Sequence, residues 1–168
     1  MKYPKNKEHF KKLIPFAKRI IKICKDNKIR PIIYGSYAHF VHTNDSSMKV
    51  NDIDILIQKK NFPKIVKLLE RGGINFKYFP EWSTIIIKKG KLKVEVDEIG
   101  KGYKTLNDKY LSKGRFNKID FYGLGVEIIT LKHLEEIYPV AYNRSKNDKA
   151  RIKKKLKHLE RFLRGGLK

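Results

Sequence analysis

A lone cysteine, Cys24, excludes an internal disulfide and any zinc site built on cysteine pairs. It falls on the apolar stripe of an expected helix, which makes it a buried structural thiol. Acidic residues are scarce: 17 Asp and Glu stand against 40 Lys and Arg, a formal net charge of +23. Such a surface disfavours cationic partners and attracts polyanions. No apolar run is long enough to span a bilayer, so no membrane partner is expected. The opening MKYPKNKEHF is not a secretion signal, and the expected location is cytoplasmic. No internal repeat and no interdomain linker interrupts the 168 residues.

What is present is an ordinary apolar content, 40%, enough for one globular core rather than a disordered chain. The expected organisation is a single compact unit. Residues 1–130 form its core, and 131–168 form a basic helical segment packed on it. Helical spacing of Phe10, Leu13, Ile14, Ala17, Ile20, Ile21 and Cys24 predicts a helix over Asn6–Asn27. A strand over Ile29–Tyr34 follows, with Pro31 at its start or on an edge. Asn61 and Pro63 open a second helix that Gly72-Gly73 closes. Ile74–Phe79 reads as a strand. Thr84–Lys88 and Lys91–Ile99 read as a hairpin about Lys89-Gly90. Residues 100–116 read as a polar loop with a weak helix at Leu106–Leu111. Two short strands flank Gly123–Gly125. A helix from Thr130 is expected to be interrupted at Pro139. The last helix, Lys146–Leu163, carries Ile152, Leu156, Leu159 and Leu163 on one stripe and a dense basic surface elsewhere.

The informative stretch is Tyr34–Gln58. A strand runs into Gly35-Ser36, a short helix carries Tyr37, Ala38, Phe40 and Val41, and a polar turn leads to Asp52-Ile53-Asp54. Alternate strand residues share a face, so Asp52 and Asp54 project together, about 7 Å apart. Like charges that close require a cation between them, and a divalent metal with oxygen ligands answers that need. Leu56 continues the same face, which places the aspartates at a strand end beside a cleft. A second acidic strand, Lys93 to Asp97, puts Glu95 and Asp97 on one face and Val94 and Val96 on the other.

Gly35-Ser36, the Asp52/Asp54 pair and the acidic strand ending Val94-Glu95-Val96-Asp97 resemble the DNA polymerase beta-like nucleotidyltransferase superfamily. The spacing is similar to that of its small antibiotic and minimal members. The run Tyr138–Leu159 is similar to their helical tail. The resemblance implies an α/β fold: a small mixed sheet flanked by helices, with a helical C-terminal segment. It implies transfer of a nucleoside monophosphate from a nucleoside triphosphate such as ATP to an acceptor hydroxyl. Two Mg²⁺ ions about 4 Å apart would be the cofactors. Asp52 and Asp54 would hold both ions. Asp97 is preferred as the third catalytic and metal-holding carboxylate, with Glu95 second. Gly35 and Ser36 would bind the nucleotide, with Arg144 and Lys146 neutralising the leaving pyrophosphate. The acceptor stays open among a small molecule, a protein hydroxyl and an RNA end, and the basic last helix tilts the expectation toward RNA.

Plainer readings stand beside these. A Gly-Ser turn alone carries no weight, and an Asp-x-Asp strand is usually a solvated face. No EF-hand ligand series follows Asp54. Gly123-Leu124-Gly125 lacks the third glycine of a dinucleotide fingerprint and suits a hairpin turn. His39 and His42 read as surface or supporting groups rather than metal ligands. A non-catalytic basic module that binds nucleic acid on the same fold is the alternative function, but such a module gains nothing from clustered acids.

Overall fold

A computed structural model describes residues 2–99, 116–144 and 147–165. The weak helix expected at Leu106–Leu111 lies outside them. Helix α1 (Lys7–Asp26) buries the seven apolar residues of its stripe, Phe10 to Cys24. Full burial of such side chains contributes about 1.5–3 kcal/mol each, which outweighs the cost of Pro15 within the helix. The chain then alternates strands with short helices: β1 (Ile32–Tyr34), α2 (Gly35–Thr43), β2 (Ile53–Ile57), α3 (Phe62–Arg71), β3 (Phe76–Phe79), β4 (Thr84–Lys89) and β5 (Leu92–Glu98). After the undescribed stretch come β6 (Asn117–Asp120), β7 (Gly125–Ile128), α4 (Leu131–Arg144) and α5 (Lys149–Leu163).

The strands form one seven-stranded mixed sheet, ordered β3-β4-β5-β2-β1-β7-β6. The expected neighbours β1, β2 and β5 are adjacent at its centre. β1 pairs antiparallel with β2, and β2 pairs parallel with β5. Ile32, Ile33, Ile53, Ile55, Val94 and Val96 are buried there, so the central strands anchor the core. Thr84–Lys89 and Leu92–Glu98 form the predicted hairpin, and Gly123 turns β6 into β7 at φ +85°.

Several elements depart from the sequence expectation, among them β3, which begins at Phe76 rather than Ile74. β1 begins at Ile32, directly after Pro31, whose nitrogen has no hydrogen to donate to a ladder. Pro139 does not interrupt its helix, because α4 runs through it to Arg144. The flanking Ile137 and Tyr138 are buried, and that packing overrides the lost backbone bond. Asn6 clasps Val50 from both sides, its Nδ2 donating to the carbonyl (2.8 Å) and its Oδ1 accepting from the amide (3.0 Å). This ties the start of α1 to the segment entering β2, next to Asp52.

Candidate active site

β1 ends at Tyr34, and Gly35 turns the chain into α2 with φ +68°, a conformation that favours glycine. A Cβ there would lie 1.9 Å from Asp54 Oδ2. The turn therefore lies directly against the second aspartate of β2. Ser36, the next residue, is buried at the start of α2.

Register sets the acidic row. Across the parallel β2–β5 pair, Asp54 lies opposite Glu95, and Leu56 lies opposite Asp97. Asp52, just before β2, meets Lys93, whose Nζ is 2.7 Å from Asp52 Oδ2 and 2.8 Å from Glu95 Oε2. Lys93 thus joins Asp52 to Glu95, and Asp54, which lies against Gly35, faces Glu95 across the strand pair. Burial pushes the Asp54 carboxyl well above the usual range, and the charges of Asp52 and Glu95 push it further. Lys93 and Lys155 act in the opposite direction.

Asp97 occupies a different setting. It is 9% exposed, level with apolar Leu56, and accepts hydrogen bonds from the Tyr34 hydroxyl and from Thr84 Oγ1. Burial and the neighbouring Glu95 raise its pKa to about 6, against those two hydrogen bonds and Lys93, which lower it. Both of its oxygens are already engaged within the sheet.

Lys155 of α5 is a candidate site side chain that the sequence reading did not single out. It is not on the solvated face of its helix. Its Nζ donates to Ser36 Oγ at 2.5 Å, and burial lowers its pKa while the charge of Asp54 opposes that. The signal was available, since Lys155 falls three residues after Ile152 and four before Leu159, on the buried stripe itself. A cavity of about 340 Å³ opens beside this lysine, lined by Ser36, Lys49, Arg151, Lys154, Lys155 and His158 among others. No acidic residue is among its described lining, so the cavity suits an anion with several charges. Arg144 closes α4. Its side chain, and Lys146 altogether, lie outside the described part.

His39 is fully buried rather than superficial. Its Nδ1 meets the Tyr138 hydroxyl at 3.0 Å and its Nε2 meets His158 Nδ1 at 2.9 Å. His158 Nε2 reaches Asp45 Oδ2 at 2.6 Å. This chain fastens α5 to α2 and so fixes Lys155 against Ser36. A larger hollow of about 520 Å³ lies beyond the start of β1, under Lys25, Arg30 and Glu127, at the end of the strand away from Asp54.

The acidic group fits divalent cations. Its donors are hard carboxylate oxygens, its mutual repulsion calls for positive charge, and the space against Asp54 exists only because residue 35 has no Cβ. Among the described residues, no three acidic, imidazole or thiol side chains already converge as a metal-ligand cluster. Lys93 holds two of the three carboxylates to itself.

No family model matches the chain, and no curated protein matches it in sequence. Solved structures do share its fold. An antigenic nucleotidyltransferase-like protein from Paracoccidioides brasiliensis superposes with a TM-score of 0.59 at 13% identity, over 93% of this chain and 77% of the other. ANT(2″)-Ia in complex with adenylyl-2″-tobramycin gives 0.57 at 11% identity, over 90% and 97%. The lincosamide antibiotic adenylyltransferase LnuA, lincomycin-bound, gives 0.52 at 16% identity, over 85% and 95%. The chain therefore shares the fold of these nucleotidyltransferase-like structures.

Proposed function

We propose that the protein is a metal-dependent nucleotidyltransferase that moves a nucleoside monophosphate from a nucleoside triphosphate to an acceptor hydroxyl. The observation that carries this reading is the register of Asp54 with Glu95, closed on one side by Gly35 and flanked by the cationic cavity at Ser36. Asp52, Asp54 and Glu95 hold Mg²⁺ in this reading, with Glu95 rather than Asp97 as the third carboxylate. Mg²⁺ held by these residues would supply positive charge for the acceptor and phosphoryl oxygens.

The chain's own residues do the rest. Gly35 lets the backbone approach the triphosphate, and Ser36 with the first amides of α2 holds its oxygens. Lys155, Lys49, Arg151 and Lys154 hold the β- and γ-phosphates in the cavity. The acceptor oxygen bonds to the α-phosphorus as the α–β bridging bond breaks, and pyrophosphate leaves into the basic cavity. The acceptor proton passes to a carboxylate of the Asp54–Glu95 row. In this reading Asp97 positions β5 through the hydrogen bonds it accepts from Tyr34 and Thr84.

RNA is the acceptor this surface favours. Lys153, Lys157 and Arg161 are exposed on α5, the helix that also delivers Lys155 to the site. An RNA strand neutralised by them would have its end beside the carboxylates. The test uses triphosphates labelled at the α- or the γ-phosphate, incubated with the protein, Mg²⁺ and either total RNA or a metabolite extract. The proposal expects α-label, never γ-label, in the RNA fraction, and none with EDTA. Label in the metabolites alone would replace the acceptor class. Transfer of γ-label would overturn the reaction.

A further inference from the structure

Lys93 has no part in the reaction just described, yet it lies at the centre of the acidic group. It is the neighbour of Asp52 across the β2–β5 pair and shares a strand face with Glu95, two residues on. Its ammonium bridges Asp52 Oδ2 and Glu95 Oε2 at 2.7 and 2.8 Å. Burial works to lower its pKa, and the two carboxylates outweigh that and raise it. A single cation thus spans the two carboxylates on either side of Asp54, in the part of the site where charge balance asks for one. The side chain is 29% exposed and lies near the start of β5 opposite Lys88 of β4, which is itself exposed, so its ammonium has a way out toward solvent.

We propose that Lys93 is a resident counter-ion, and that a divalent cation enters the site by displacing its ammonium from Asp52 and Glu95. This rests on the reading of Asp52, Asp54 and Glu95 as the metal-holding set. The exchange is one of charge alone: the ammonium leaves two carboxylate oxygens and the incoming cation takes them. It explains why the carboxylates stand together without forming a ready cluster, because two of them are turned onto the lysine. It also gives the lysine a function. Between Asp52 and Glu95 it offsets their repulsion, and it competes with an incoming cation for the same two oxygens, which lowers metal affinity.

The sign of the effect separates this role from mere orientation. A lysine that oriented the carboxylates for metal would weaken binding when removed, whereas a competing counter-ion strengthens it. Free Mn²⁺ is measured by electron paramagnetic resonance during titration of the nucleotide-free protein. Lys93→Met is expected to bind Mn²⁺ at least about tenfold more tightly than wild type. Lys93→Arg, which keeps the charge, is expected to stay near wild type. Lys93→Gln is run in parallel, since it retains a polar contact to the carboxylates if the methionine variant does not fold. Thermal melts add a second readout: Lys93→Met should lose stability without metal and regain more than wild type on adding Mn²⁺. Asp54→Asn should weaken Mn²⁺ binding in either background. Equal or weaker binding by both the Met and Gln variants overturns the counter-ion role and leaves the metal site standing. Absence of Mn²⁺ binding in wild type and in every Lys93 variant overturns the metal reading, and this proposal with it.

Discussion

A methyl group on Gly35 would stand 1.9 Å from Asp54 Oδ2. No side-chain rotation of residue 35 relieves that contact, because Cβ is fixed to the backbone. The left-handed φ of +68° adds a penalty of about 1–2 kcal/mol for any L side chain. Gly35→Ala should therefore lower the melting temperature and push Asp54 out of its row. Nucleotidyl transfer is expected to fall by about 10³, roughly 4 kcal/mol of transition-state stabilisation. Wild-type turnover by Gly35→Ala, measured with the α-labelled triphosphate, would separate the turn from the chemistry.

Buried His39 should make the fold sensitive to acid. Burial holds its pKa at about 3 in the folded protein, against an ordinary 6.5. Between those values the unfolded chain binds the proton and the folded chain does not. Stability from neutral His39 is thus fully present above about 6.5 and is lost as pH falls toward 3. Asp97 runs the other way, since its raised carboxyl favours the folded state at low pH and loses that contribution as pH rises through about 6. Melts at pH 7 and 4.5 should show a smaller acid penalty in His39→Gln than in wild type. An unchanged penalty would show that His39 is not the acid-labile group.

Most of the central architecture was legible in the chain. Period-two alternation in Asp52–Ile57 and Lys93–Asp97 located both acidic strands, and helical spacing from Phe10 to Cys24 located α1. Which of Glu95 and Asp97 faces Asp54 was not legible, because both lie on one face and only the β2–β5 register separates them. Register is a tertiary quantity, set by how Ile53 and Ile55 seat against Val94 and Val96. Lys155 was hidden differently. It lies among seven other basic residues of the C-terminal run, and charge density drew attention away from its place on the buried stripe. Pro139 shows a local breaker overruled by packing around Tyr138.

The outward face of α5 yields a prediction about salt. Lys153, Lys157 and Arg161 are exposed, and each phosphate contact to single-stranded nucleic acid contributes about 0.7 to the log–log salt slope. Reversing all three charges should shrink the slope of RNA affinity by about 2 and leave triphosphate affinity unchanged. An unaltered slope would move the RNA path off this helix.

The Asp54–Glu95 row is most directly tested by one side-by-side measurement: α-label transfer by Glu95→Gln and by Asp97→Asn under saturating Mg²⁺. The two carboxylates lie two residues apart on one face of β5, so both changes perturb the same strand. Glu95→Gln should lose transfer by about 10³ while keeping its fold, since it removes a metal-holding oxygen charge. Asp97→Asn should keep transfer within about tenfold and instead lose roughly 1–3 kcal/mol of stability, because the Tyr34 and Thr84 hydroxyls would no longer both find an acceptor. The reverse pattern, an active Glu95→Gln and a folded but inactive Asp97→Asn, would contradict the account and return the third carboxylate to Asp97.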